Sequence, residues 1–184
     1  MAVGVNQRGA TAGHDVVAGN KTVNHYAASA GHIEVLLEKL KTQIEQDDHA
    51  RETIEELTRY HTRKSVDGID GLEAKLDAAG LSHIFLRAIE QKEEFVKLLE
   101  RYSLYSSAQQ IFAHFLSKAE NRFNYMIHPE VVIKSESEIN CMVIQYIVDP
   151  IIEECGSEVF SLTYDHVFGM VYWLAEQCFV RWHK

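Results

Sequence analysis

From residue 31 onward, apolar side chains recur at intervals of three and four, the spacing of one face of an α-helix. Ile33, Leu36, Leu37, Leu40 and Ile44 share a face of a first segment, while Glu38, Lys39, Lys41 and Gln43 lie off it. A second segment, over about 49–63, sets Ala50, Ile54, Leu57 and His61 in line. Its acids come early, in "RETIEE", and its bases late, in "RYHTRK", the order that complements a helix dipole. Both stripes are narrow. They predict an αα-hairpin or coiled-coil-like segment over 31–65, with Leu37 and Leu40 available to a seam with another subunit.

The stretch "VDGIDG" interrupts the pattern and marks the start of a helical C-terminal domain over 66–184. A short helix is expected at 71–79, stopped by Gly80. A long helix over about 81–101 carries Leu81, Ile84, Phe85, Ala88, Phe95, Leu98 and Tyr102 at core spacing. The next, over about 105–127, carries Ala108, Ile111, Phe112, Phe115, Leu116, Ala119, Phe123 and Ile127, and Pro129 ends it. A helix over about 136–154 contains Pro150, which should kink it or end its first part. The last helix runs over about 163–177, and "CFVRWHK" is left irregular. Termini normally fray, so Trp182 must be anchored; Arg181 would meet a carboxylate such as Glu73 in a buried pair.

Ahead of the helices, "GHDVVAGNKTV" sets Gly19-Asn20 between two short β-prone runs, the signature of a two-residue hairpin turn. The expected fold class is therefore mainly α, a helical bundle with a short N-terminal β-hairpin in a flexible lead-in over 1–30. A lone hairpin is marginal in water. This one would pair with a copy of itself or with a partner's strand, through Val16, Val17, Lys21 and Val23.

Net charge is -9, from 27 acids against 18 lysines and arginines, which disfavours gripping a phosphate backbone unaided. Any DNA contact would be indirect. The N-terminus lacks a basic start and an apolar run of signal-peptide length, and no stretch of 18 apolar residues occurs, so no membrane association is expected. Three widely spaced cysteines do not form a disulfide framework, which fits a cytoplasmic protein with reduced thiols.

Ten histidines invite a metal reading, but there is no HExxH, no HxH and no zinc-ligand spacing. Neighbouring carboxylates, Glu93-Glu94 and Glu153-Glu154, point different ways on a helix. Asp165 in "YDHVFG" reads as a first-turn residue, and GxSxG, GxxxxGK[ST] and GxGxxG are missing. Cys141, Cys155 and Cys178 stand in apolar sequence, where burial would make their thiols inert. No catalytic residue, metal ligand or cofactor site is nominated, and an enzyme is not expected. The one cationic cluster, Arg59, His61, Arg63 and Lys64, is a candidate contact for a partner or for nucleic acid.

Five phrases point further: "DGIDGLEAKLDAAGL", "KEEFVKLLE", "SSAQQIFAHFL", "YIVDPIIEE" and "GMVYWLAEQCFVRW". Together they resemble the C-terminal domain of bacterial ABC-three-component conflict systems, the group that includes Lamassu-type antiphage defence. The matching positions are Gly71, Leu72, Glu73, Lys75, Leu76, Lys92, Glu93, Phe95, Lys97, Ser107, Ala108, Gln109, Pro150, Gly169, Met170, Tyr172, Cys178, Arg181 and Trp182. The closing block has Glu176-Gln177 and Phe179-Val180 around Cys178, where the family usually has Gly-Asn and His-Ile. The resemblance implies a small accessory subunit: a non-enzymatic adaptor that links an SMC-like ABC ATPase to an effector protein. The alternatives it leaves are a nucleic-acid-binding accessory module and a detached C-terminal module of an effector.

Overall fold

The computed structural model describes residues 31–62 and 68–183. The hairpin expected at Val16, Val17, Lys21 and Val23 lies outside these residues, as do Arg63 and Lys64. Among the described residues all regular structure is helical. The order is α1 (His32–Gln46), α2 (Glu55–Thr58, tightening through Arg59–His61), α3 (Gly71–Ala78), α4 (Phe85–Tyr102), α5 (Ser106–Arg122), α6 (Glu136–Val143), α7 (Asp149–Cys155) and α8 (Tyr164–Glu176).

The axis of the bundle is the pair α4 and α8, which makes the most extensive helix contact in the structure. Sequence dictates how close they come. At Gly169 a side chain would have no room, because an added Cβ would lie 2.0 Å from the Gln91 carbonyl oxygen and 3.0 Å from Phe95 Cβ. Gln91, itself buried, ties the same crossing to the start of α8 by donating to Asp165 Oδ1 at 2.6 Å. The Phe95 ring then meets Phe112 of α5 and Trp173 of α8 edge-on. Helix α8 is almost wholly buried from Val167 to Ala175 and has α3, α4, α5 and α7 around it. Its first turn is closed by Thr163, whose hydroxyl accepts from His166 N while His166 Nδ1 accepts from Thr163 N.

The segment 31–62 does not stand apart. Helix α1 packs on α5 and α7, α2 packs on α5, and Leu36, Leu37, Leu40, Leu57 and Tyr60 belong to the same core as the C-terminal helices. Leu37 and Leu40 are therefore covered by this chain's own helices, and the seam with another subunit that their spacing suggested is closed. The second expected helix is also cut short. Asp47 turns left-handed (φ 54°), and residues 47–54 run irregularly before Glu55. Long-range bonds hold that run: Ala50 N donates to Leu104 O at 2.7 Å, and Ile54 N to Gln109 Oε1 at 2.8 Å.

Both prolines are preceded by a widened helical turn, Phe123–Ile127 before Pro129 and Ile144–Val148 before Pro150. Pro150 has no N–H for the carbonyl of Tyr146 four residues back. The Arg122 guanidinium fills that place, donating to Tyr146 O at 2.5 Å. The helix thus passes through Pro150 into α7.

The buried pair expected between Arg181 and Glu73 is not formed. Glu73 is exposed, because the inward positions of α3 are Leu72, Lys75 and Leu76. The expected anchoring of Trp182 is present: its ring lies edge-on to Phe123 at 4.9 Å and stacks on Tyr172 at 5.8 Å.

Alanine favours a helix over glycine by about 1 kcal/mol, whereas forcing a methyl into a filled crossing costs roughly 1–3 kcal/mol or more. The overlap at Gly169 is with backbone, so Gly169→Ala is expected to lower the unfolding free energy by about 3 kcal/mol. Urea denaturation followed by circular dichroism measures it, and equal or higher stability would show that the helices part freely there.

Candidate functional site

Four of the positions that resemble the conflict-system domain, Gly71, Leu72, Lys75 and Lys92, come together where α3 meets the end of α8. Helix α3 opens at Gly71 with φ +83°, a conformation that glycine adopts without strain. The next amide, Leu72 N, donates to Glu176 Oε2 at 2.8 Å, and Lys92 Nζ stands 3.8 Å from that oxygen. In return Lys75, only 1% exposed, sends Nζ to the Ala175 carbonyl at 2.5 Å. A carboxylate sits on the N-terminus of α3 and an ammonium on the C-terminus of α8. Each charge lies where the helix dipole favours it. Cys178 follows in a left-handed conformation (φ 66°), its Sγ 3.8 Å from Asp70 Oδ1.

A second polar junction joins α1 to the start of α5. Gln43 is buried; its Oε1 accepts from Ser107 N at 3.1 Å and its Nε2 donates to Ser106 Oγ at 3.0 Å. Gln109, also buried, donates from Nε2 to the carbonyls of Ser103 (2.7 Å) and Glu52 (3.3 Å) while accepting from Ile54. Glutamines can donate and accept at once, which suits them to bridging two backbones. The periodicity placed Gln43 off the apolar stripe and Ile44 on it. The structure reverses the two, since Ile44 is exposed.

Between α1, α2 and α5 runs an open groove of about 530 Å³, lined by His32, Glu56, Arg59, Gln110, His114 and Ser117 among others. Of the cationic cluster, Arg59 and His61 lie among the described residues, and Arg59 is held within the chain. It makes two bonds to Glu120, at 2.7 and 2.9 Å, and its guanidinium lies over the Phe179 ring at 5.5 Å. The Tyr60 hydroxyl donates to the same Glu120 at 2.9 Å. A phosphate would have to displace Glu120 to reach that fork. His61 is exposed with its ring edge-on to Trp173. His114 of the groove wall also meets Glu154 of α7, which accepts from Lys118 as well. Burial raises the Glu154 carboxyl, but the bonds and charges of Lys118 and His114 outweigh it and leave the pKa below its usual value.

Among the described residues no three His, Cys, Asp or Glu side chains are grouped to hold a metal, and no helix is long and apolar enough to cross a membrane. The cysteines differ from one another. Cys155 is buried and its thiol is pushed up to about 11, chiefly by burial, whereas Cys141 is exposed and Cys178 half-buried. The expectation of burial thus holds for Cys155 and fails for Cys141, which lies on the outer face of α6.

Residues 71–182 match the model of C-terminal domain 9 of the ABC-three component (ABC-3C) systems. The chain belongs to this family. The match takes in more than half of its length and every C-terminal motif position, from Gly71 to Trp182. Comparison with curated proteins and with solved structures finds no match.

The buried tyrosines of this chain report on its folding. Burial, then the Glu120 carboxylate, pushes Tyr60 up to about 12, and burial pushes Tyr172 to about 12. Such groups hold their protons longer folded than unfolded. Their stabilisation is complete below the ordinary tyrosine value of 10.0 and is lost as pH rises towards 12. Two of the eight tyrosines are expected to ionise last, together with the loss of helicity, in an alkaline titration of phenolate absorbance. Tyr60→Phe should flatten the alkaline fall in stability, and an unchanged slope would contradict the assignment.

Proposed function

We propose that this chain is a non-enzymatic adaptor of an ABC-3C system, linking an SMC-like ABC ATPase to an effector in antiviral defence of the Lamassu type. Family membership supports a place in such a multi-component system, with protein partners. What carries the adaptor reading is where the family-motif side chains go. Lys75 bonds to the backbone of Ala175, Gln109 to the backbones of Glu52, Ile54 and Ser103, and Lys92 lies beside the Glu176 carboxylate that caps α3. Gly169 admits the α4 backbone, and Phe95, Tyr172 and Trp182 fill the core.

Such residues make a rigid body. A rigid helical body binds by presenting surface, and affinity then rests on a few anchors rather than on total area. Arg59 serves the same end, since its charge is committed to Glu120 within the chain.

The test is reconstitution of the ATPase and effector encoded with this chain, at physiological salt, with and without it. The expected outcome is one complex containing all three, in which the ATPase and effector separate when this chain is withheld. If ATPase and effector associate equally well without it, the bridging role is wrong. Steep salt-dependent DNA binding by this chain alone would instead favour the nucleic-acid-binding alternative.

A further inference from the structure

The connection between α7 and α8 has the pattern of a strand without a neighbour. Phe160 and Leu162 are each 5% exposed, Ser161 and Thr163 are exposed, and Thr163 has an extended backbone (φ -93°, ψ 166°). Such alternation is that of a β-strand with one buried face. The buried side holds the run in place. The Phe160 ring stacks on Phe112 at 5.7 Å and lies 4.9 Å from Tyr102, and the Cys155 thiol donates to Phe160 O at 3.7 Å. Residues 157–161 nevertheless make no backbone–backbone hydrogen bond with any described residue. A fastened, extended run whose backbone lacks a backbone partner is a template for an added strand.

Along this run opens a groove of about 370 Å³, lined on one side by Phe160 and Ser161 and on the other by the C-terminal half of α4. Lys97 and Arg101, one turn apart on α4, line it and are exposed. Unlike Arg59, Lys92, Lys118 and Lys134, neither has a carboxylate within ion-pair distance. Glu94, the acid in the same lining, pairs with neither of them, so two uncommitted cations face one carboxylate. His166 also lines the groove; its Nδ1 accepts from Thr163 N at 3.2 Å, which puts the ring proton on Nε2 as a further donor. In a chain of net charge -9 this wall suits an anionic ligand. A peptide also offers amides and carbonyls to pair with 157–161, which a nucleic acid does not.

We propose that this groove docks an extended acidic segment of a partner protein. The segment lies along 157–161 as an added strand, and its Asp or Glu side chains reach Lys97 and Arg101. A carboxylate takes two parallel bonds from a guanidinium, which makes Arg101 the stronger anchor. The proposal rests on the adaptor reading, to which it adds the face and the chemistry of what binds.

The experiment uses the full chain with the purified ATPase and effector encoded beside it, and measures binding by calorimetry. Lys97→Glu and Arg101→Glu, both at exposed positions, should each weaken the same one of the two associations about tenfold or more, whereas Lys39→Glu on α1 should leave both unchanged. A benzophenone side chain at position 161 should crosslink to an acidic segment of that partner. Changing the crosslinked acids to lysine should restore binding to Arg101→Glu, a rescue that a merely misfolded variant would not show. If the complex forms but tolerates both reversals, the docking face is wrong and the adaptor reading stands. Crosslinking to a second copy, to residues 1–30 of this chain, or to a basic segment overturns the proposal. So does loss of DNA binding in Arg101→Glu with both protein associations intact, which would assign the groove to nucleic acid. If wild-type protein binds neither component, both readings fall together.

Discussion

The approach of α4 and α8 at Gly169 is the constraint from which the other contacts follow. With only hydrogen at that position, the Gln91 carbonyl can sit where a Cβ would be. The facing sides of α4 and α8 then pack directly on each other, and Phe95 comes within ring contact of both α5 and α8. Close packing of this kind transmits any change in spacing to its neighbours. If α8 moved outward, the Lys75 and Glu176 junction with α3 would open, and the Trp182 stack on Tyr172 would move with it.

Around that crossing, position is set by a few polar side chains that reach long distances along the chain. Glu176 and Lys75 exchange caps between α8 and α3; Gln43 and Gln109 fasten α1 and the irregular run before α2 to the start of α5. Each replaces water on a backbone group that a helix end or a loop would otherwise leave unpaired. They explain why residues 31–62 belong to the same body as the ABC-3C domain. The apolar stripe of α1 needs a partner, and the nearest one is α5, held in place by Gln43.

The helices of the C-terminal domain were legible from apolar spacing, and Gly80, Pro129 and Pro150 marked real changes in the helical path. The resemblance located the motif positions but not their use. Gly169 and Lys75 looked like pattern, and only the three-dimensional crossing shows one as a point of contact and the other as a cap. The second helix was overestimated because Ala50 and Ile54 keep helical spacing while their amides bond to Leu104 and Gln109, partners some 50 residues away that no local pattern encodes. Leu37 and Leu40 were read as free for a partner because a narrow stripe does not say which helix covers it. Glu176 was noted only as a departure from the family pattern, yet it caps α3. Its signal was faint: an acidic residue at a helix C-terminus, against the dipole preference, needs a compensating partner.

The most direct test of the central claim is native-state hydrogen exchange, read residue by residue by NMR on the full chain. If the α4–α8 crossing organises the domain, amides from Ala88 to Phe95 and from Val167 to Leu174 will exchange slowest of all, opening only with global unfolding. If those amides exchange by local opening while α1 or α5 remains protected, the crossing is peripheral and the account built on it is wrong.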